Sequence, residues 1–146
     1  LAAIAAYVAA LPQPAKPDAT HAAGRMAFER AQCTACHVPE QNGRDGSPIA
    51  LYSDLRLHDL GEALAGPAEA NGASGREWRT APLLGLAERL AAGATLLHDG
   101  RARSIEEAIL WHGGAAEAAR DRYVALSSEA RRALIGFLSG SEQEPR

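Results

Sequence analysis

One pentapeptide, Cys33-Thr34-Ala35-Cys36-His37, constrains this chain more than any other feature. Two thiols at this spacing can reach the two vinyl groups on one edge of a porphyrin, and the histidine that follows then lies under the iron as an axial ligand. The sequence therefore predicts one covalent haem c, attached through Cys33 and Cys36, with His37 as the proximal ligand. A chain with this motif must fold around a flat, largely apolar group.

Other uses of the cysteine pair fit the sequence less well. A thioredoxin-type C-x-x-C pair follows a strand, whereas residues 22–32 (AAGRMAFERAQ) have the pattern of a helix. A structural zinc site usually has four ligands, often from two cysteine pairs, and this chain has only two cysteines. A disulfide between Cys33 and Cys36 would close too small a loop to stabilise the fold much. Haem attachment is therefore the favoured interpretation.

Composition supports a cofactor-filled core. The 146 residues are enough for one core, but only 5% are aromatic, so the side chains alone would fill it thinly. A buried porphyrin would supply the missing apolar volume. The net charge of -3 gives no reason to expect a nucleic-acid partner.

The chain has no recognisable signal peptide and no apolar run of about 18 residues, so no membrane span is predicted in this segment. Covalent haem attachment nevertheless takes place outside the cytoplasmic membrane in bacteria. We therefore expect a periplasmic protein whose export signal belongs to a longer parent chain.

The N-terminal residues suggest a domain boundary. Residues 1–11 (LAAIAAYVAAL) predict a helix that ends at Pro12, Pro14 and Pro17. Its pattern resembles residues 130–138 (ARRALIGFL), a predicted helix capped by 127–129 of the kind that closes small cytochrome c domains. We expect 1–17 to be the closing helix of a preceding haem domain plus a Pro-rich linker, and 18–146 to be a cytochrome c-like haem domain. An ordinary N-terminal helix of this same domain is the alternative.

The remaining segments are short. Residues 38–50 and 66–78 are predicted loops, 54–65 a helix or an irregular excursion, and 84–92 a helix. Residues 104–107 form a capping box that starts a further helix. The predicted fold is mostly α, a class I cytochrome c-like domain with long loop insertions around a covalently bound haem.

The second axial ligand is not a downstream methionine, because the only methionine, Met26, precedes the motif. The candidates are His58, His98, His112, a tyrosine or an open site. His112 lies at helical spacing from the apolar residues 105, 108 and 109, and Gly113 with Gly114 ends that helix and leaves room for a planar group. A structural histidine that interacts with the helix dipole is the alternative.

Polar residues near this helix could contact the haem. His98 could bind a propionate or line the porphyrin face, and Arg101 and Arg103 could pair with propionates, since a guanidinium matches a carboxylate. The alternatives are a turn histidine and two surface arginines. His58 has the same ambiguity.

Five motifs follow one another along the chain: Cys33–Pro39, Tyr52–Asp59, Trp78–Leu83, Leu97–Arg103 and Glu107–Gly114. In this order they resemble the C-terminal haem domain of the di-haem oxidoreductases, also described as thiol oxidoreductases and similar to bacterial di-haem cytochrome c peroxidases. The resemblance extends from Gly24 to Leu138.

The resemblance implies two packed haem domains, with residues 1–11 closing the N-terminal one and this chain holding the electron-transfer haem. It also implies that the Pro82 carbonyl orients His37. The related peroxidases place an axial methionine where Trp111-His112-Gly113 stands here. The substitution predicts a bis-histidine iron between His37 and His112, which is coordinatively closed and suits electron transfer.

The expected function is a covalent haem electron-transfer domain of a periplasmic di-haem oxidoreductase. Its expected partners are the N-terminal haem domain of the same parent protein and a redox partner protein. One alternative is a peroxide-reactive haem with His58 or His98 as the acid or base. Another is a stand-alone monohaem electron carrier. No catalytic residue is assigned from this segment.

Overall fold

The computed structural model describes residues 2–10, 22–67 and 72–140, and helices and short strands alternate with loops along them. The helices are α1 (Ala2–Ala10), α2 (Ala22–Arg30), α3 (Leu86–Ala91), α4 (Ile105–Leu110), α5 (Glu117–Val124) and α6 (Ser128–Ser139). The strands are β1 (Gln41–Asn42), β2 (Pro48–Ile49), β3 (Leu57–Asp59) and β4 (Glu77–Arg79). Single 3₁₀ turns occur at Cys33–Ala35, Glu62–Leu64 and Gly114–Ala116.

The core forms where α2 packs against α6. The helices approach closely at Gly24, where an added Cβ would lie only 2.6 Å from the Cβ of Phe137 and closer still to the carbonyl of Ala133. Next to this contact, the ring centroids of Phe28 and Phe137 are 5.7 Å apart, and both side chains are buried. A glycine in mid-helix costs stability by itself, so its presence here reflects the close packing.

The capping signals in the sequence are confirmed. The Ser104 hydroxyl accepts from the Glu107 N–H at 3.1 Å at the start of α4, and Ser127 accepts from Ala130 N–H at 3.2 Å at the start of α6. The helices predicted over 22–32, 84–92 and 130–138 correspond to α2, α3 and α6. Local signals therefore locate these helices correctly.

The strands form two separate antiparallel pairs. β1 pairs with β2 inside the segment predicted as a loop over 38–50, and β3 pairs with β4, which places His58 opposite Trp78. The segment 54–65 therefore holds a strand and a 3₁₀ turn. Both pairs lie in the chain between the pentapeptide and α3, where the described residues form no α-helix.

The predicted mostly α, class I cytochrome c-like fold is wrong. Helices account for 46% of the structure and strands for 11%, and the strands make two small sheets. Glycines and prolines interrupt the chain between the pentapeptide and α3, so it cannot continue as helix, and strand pairing satisfies its backbone groups instead.

α1 is the helix expected at the N-terminus, and its Ile4 and Tyr7 side chains are about two-thirds exposed, at 65% and 68%. The Pro-rich linker and His21 lie outside the described residues, so the division at residue 17 stays a prediction. No helix in the described part of the chain is long and apolar enough to cross a membrane.

Candidate functional site

A cavity of about 340 Å³ opens beside the pentapeptide, and we call it the motif cavity. Its wall includes Cys33, Cys36 and His37 on one side and His112 at the end of α4. Apolar residues from α3, α4, α6 and the loops before and between them make up much of the rest: Leu60, Leu64, Pro82, Leu83, Leu86, Leu96, Leu97, Ile105, Ile109, Leu134 and Leu138. All four histidines of the described residues lie in this wall.

The pentapeptide folds as a tight turn. Gln32, with φ of 61°, lies just after α2, and the next residues form a 3₁₀ turn in which the Cys33 carbonyl accepts from His37 N–H at 2.9 Å. Both thiols are free, so they do not form the disulfide considered above. Burial raises the pKa of Cys33 to about 11, with an opposing backbone hydrogen bond, so this thiol stays protonated at neutral pH.

His37 is oriented by a distant main-chain group. Its Nδ1 lies 3.0 Å from the carbonyl of Tyr52, which has an unusual positive φ of 52°. Burial lowers the pKa of His37 to about 4, although the Tyr52 hydrogen bond opposes the shift. The ring is therefore neutral, and with Nδ1 engaged, Nε2 is the nitrogen left to bind a metal.

The sequence predicted the Pro82 carbonyl as the group that orients His37, and this prediction is wrong. Tyr52 supplies the carbonyl that meets His37, while Pro82 lines the motif cavity. No local sequence pattern marks Tyr52 for this role, because the contact spans 15 positions. Pro82 as a haem contact stays a prediction.

His112 is oriented by α4, the helix that ends two residues before it. Its Nδ1 lies 2.7 Å from the carbonyl of Ala108, one turn earlier, and burial lowers the pKa of the ring. Both rings line the motif cavity, and the charge of a protonated His112 would further lower the pKa of His37. Nε2 is again the free nitrogen. His112 as the distal ligand stays a prediction.

The space next to Gly113 and Gly114, expected to admit a planar group, is occupied by the backbone of residues 59–61. A Cβ on Gly114, whose φ is 53°, would lie 2.7 Å from the backbone N of Gly61 and closer still to the carbonyl of Asp59. The glycines therefore admit the chain that follows β3, not a planar ligand.

His58 pairs with an acid at the edge of the motif cavity. Its Nε2 lies 2.8 Å from Oδ2 of Asp54, whose side chain is 10% exposed. Burial opposes ionisation of Asp54, but hydrogen bonds from the Arg56 N–H and from the Thr80 and His58 side chains outweigh it and lower its pKa to about 2. With Cys36, this pair forms the one group of three potential metal ligands in the described residues. Since Nε2 of His58 already binds Asp54, this histidine is less suited to iron than His37 or His112.

His98 stacks on Trp78, with ring centroids 3.6 Å apart and an angle of 11° between the planes. The indole N–H of Trp78 donates to the Leu64 carbonyl at 2.8 Å and fixes this stack. Both side chains line the motif cavity. The structure thus places His98 where it can contact a bound ring system, as a stacked side chain.

Arg101 lies outside the wall of the motif cavity. Its guanidinium binds Asp99 and the Ala63 carbonyl, both at 2.6 Å, and lies 4.7 Å from the centre of the Trp111 ring. Its groups are thus engaged elsewhere, so the predicted propionate contact is not supported by this geometry. The arginines that do line the motif cavity are Arg79, Arg89 and Arg120, which the sequence reasoning missed. For Arg89, the spacing of three from Leu86 on α3 could have indicated the same face.

The wall of the motif cavity fits a haem. Two free thiols and two neutral, oriented imidazoles meet around apolar side chains, and no second cysteine pair offers a zinc site. The only methionine, Met26, is 57% exposed on α2 and does not line the cavity. The residues that could hold the cofactor are therefore Cys33, Cys36, His37 and His112.

A family model described as "Di-haem oxidoreductase, putative peroxidase" matches residues 2–141. The match includes the pentapeptide, α1, α4 and His112. No curated protein and no solved structure shows significant similarity to this chain.

Proposed function

Because this chain belongs to the di-haem oxidoreductase family, we propose that the motif cavity binds one haem c, with His37 and His112 as its axial ligands. The observation that carries the proposal is the matched pair of histidines. Each has its Nδ1 on a main-chain carbonyl and its Nε2 free, and both line one cavity. Such a contact to the non-ligating nitrogen is the usual support of a metal-bound histidine.

The covalent attachment is proposed to use both cysteines. The thiol of each of Cys33 and Cys36 would add across one vinyl group. The S–H bond and the π bond of the vinyl group break, a C–S and a C–H bond form, and no external oxidant or reductant is needed. Both thiols are free and lie in the cavity wall. Because this attachment occurs outside the cytoplasmic membrane in bacteria, we propose a periplasmic location.

The proposed role is electron transfer. When bound, the haem supplies a one-electron redox centre. His37 and His112 would occupy both axial positions, and their low pKa values keep both rings neutral and able to bind metal at neutral pH. With both ligand positions filled by histidines, the charge on the centre would change without a change of ligand.

The proposed partners follow from the family description, which specifies two haems. We propose that a second haem domain of the same parent protein exchanges electrons with this one, and that a redox partner protein supplies or removes them. A second C-x-x-C-H motif in the parent chain would support this arrangement, and its absence would favour the stand-alone carrier.

The ligand set is tested by absorption and electron paramagnetic resonance spectra of the ferric holoprotein. We expect a low-spin spectrum that becomes high-spin in His112→Ala, whereas His58→Gln and His98→Gln remain low-spin. A high-spin spectrum in the unaltered protein that does not change in His112→Ala would contradict bis-histidine ligation. If only His58→Gln or only His98→Gln lost the low-spin signal, the substituted histidine would be the distal ligand instead of His112.

One observation favours the peroxide-reactive alternative. The pair of His58 and Asp54 lies at the edge of the motif cavity, and a histidine held by a carboxylate is a common general base. If this alternative holds, the high-spin signal of the haem decreases rapidly when peroxide is added. His58→Gln then slows this decrease without changing the spectrum recorded before peroxide is added. Bis-histidine ligation instead predicts no fast reaction with peroxide.

A further inference from the structure

The charged residues of the motif cavity are all basic. Its wall contains three arginines but no aspartate or glutamate, although the chain as a whole carries a net charge of -3. An apolar cavity with a one-sided charge favours a ligand that is apolar with an anionic edge. A porphyrin, which has two carboxylate side chains on one edge, has this distribution.

The three arginines are not equivalent. Arg120 is neutralised by Glu117 and Asp121, both at 2.9 Å, and donates to the His112 carbonyl at 3.2 Å. Its guanidinium therefore holds the end of α4 and has little capacity for a further anion. By contrast, no carboxylate of the described residues pairs with Arg79 or Arg89.

Arg79 and Arg89 lie on regular elements of the wall. Arg89 lies one helical turn after the buried Leu86 on α3, so both residues share the face toward the motif cavity. Arg79 ends β4, where its backbone is paired with Leu57, between the stacked Trp78 and the buried Thr80. Both arginines are solvent-exposed residues that also line the cavity, which puts them at its rim.

We propose that Arg79 and Arg89 bind the two propionate carboxylates of the haem. The inference rests on the proposed function, since it needs the haem to occupy the motif cavity. A guanidinium donates two parallel hydrogen bonds to a carboxylate, and at the rim it meets the anionic edge while the apolar wall meets the ring. These contacts take the role that the sequence suggested for Arg101, which is already paired with Asp99.

The test is resonance Raman spectroscopy of the ferric holoprotein, in which the propionate bending mode reports the hydrogen bonds of those carboxylates. We expect this band to shift in Arg79→Gln and in Arg89→Gln, and to shift further in the double variant. The midpoint potential should fall in the same variants, because a nearby positive charge stabilises the reduced centre. Arg89→Lys should restore most of the potential but not the band position, because an ammonium lacks the paired donors.

Arg132→Gln is the matched control, since Arg132 is an exposed arginine of α6 that does not line the motif cavity. It should leave the band and the potential unchanged. An unchanged propionate band in the double variant overturns the inference, as does a shift in Arg101→Gln that equals or exceeds it. If the band shifts in only one of the two single variants, that arginine remains assigned to a propionate and the assignment of the other is wrong. Absence of covalent haem from the unaltered protein would instead refute the proposed function, so the two failures are distinguishable.

Discussion

The two histidines of the motif cavity are held by opposite means. His37 depends on a carbonyl 15 residues away, at Tyr52, whereas His112 depends on a carbonyl only four residues earlier, at Ala108 in α4. One side of the site is therefore built by tertiary structure and the other by local structure. A change in the core should disturb the His37 side, and a change in α4 should disturb the His112 side.

The His37 side is tied to the packing of α2 on α6. The Tyr52 ring lies 6.2 Å from Phe28 and 5.9 Å from Phe137 in edge-on contacts, and Phe28 also lies 6.4 Å from the ring of His37. The core thus fixes both the histidine and the residue that orients it. On the other side, Trp111 next to His112 is 37% exposed, so this end of the cavity is closer to solvent.

The largest expected effect is that of Phe137→Ala. Phe137 is fully buried, and its removal leaves a cavity next to Phe28 and Tyr52, so we expect a loss of about 3–5 kcal/mol in the free energy of unfolding. Trp111→Ala, on the His112 side, should cost about 1 kcal/mol because the side chain is partly exposed. Denaturant unfolding of the holoprotein measures both. Equal losses would show that the two sides are equally dependent on the core.

A smaller loss is expected from Gly24→Ala. The added methyl group meets the carbonyl of Ala133 and the Cβ of Phe137, so α2 and α6 must separate, at a cost of about 2–3 kcal/mol that exceeds the gain in helix propensity. The matched control on the same helix is Met26→Ala, where the side chain is 57% exposed, and we expect a change below about 0.5 kcal/mol. A neutral Gly24→Ala would mean that the helices do not pack this closely.

The same contrast explains what the sequence could predict. The cap at Ser104, the spacing of Ile105, Ala108 and His112, and the cap at Ser127 are local, and the helices formed where those signals placed them. The Tyr52 contact to His37 joins distant residues, and no periodicity or motif indicates it. Pro82 was assigned to that role by resemblance alone.

The fold class failed for a related physical reason. Strands as short as Leu57–Asp59 and Glu77–Arg79 carry almost no alternation signal, so their pairing depends on contacts across some 20 residues. The same holds for the cavity rim. Arg101 looked available in the sequence, but Asp99, the Ala63 carbonyl and the Trp111 ring engage it in the fold.

Asp54 on the His37 side gives a pH-dependent prediction. Its backbone N–H donates to the Cys36 carbonyl at 2.8 Å, and its carboxylate has a pKa of about 2 against an ordinary 3.8. As the pH falls, the unfolded chain takes up this proton first, so the contribution of Asp54 is complete above pH 4 and is lost between pH 4 and 2. Between pH 4 and 2, we expect the free energy of unfolding to fall by about 1–2 kcal/mol less in Asp54→Asn than in the unaltered protein.

Acid titration of the unfolding free energy measures this difference. Asp99→Asn is the comparison. Burial opposes ionisation of Asp99, but hydrogen bonds from Arg101 outweigh it and lower its pKa, as in Asp54. The Asp99 side chain, however, is 33% exposed. Solvent screening should make its contribution smaller than that of Asp54. If Asp99→Asn changed the acid limb as much as Asp54→Asn, the special environment of Asp54 would be refuted.

The smallest effect is expected from the cap of α4, the helix that precedes His112. Ser104→Ala removes the acceptor for the Glu107 N–H at the start of α4 and should cost about 1 kcal/mol, whereas Ser104→Asp retains an acceptor and should cost less than half as much. Because α4 has only the six residues Ile105–Leu110, partial fraying at its start reaches Ala108, whose carbonyl orients His112. The ferric spectrum of Ser104→Ala should therefore gain a high-spin fraction while the contact of His37 to Tyr52 is unaffected. A loss of stability with a fully low-spin spectrum would show that His112 is held by more than α4, and the contrast between the two sides of the site would then be smaller than the geometry implies.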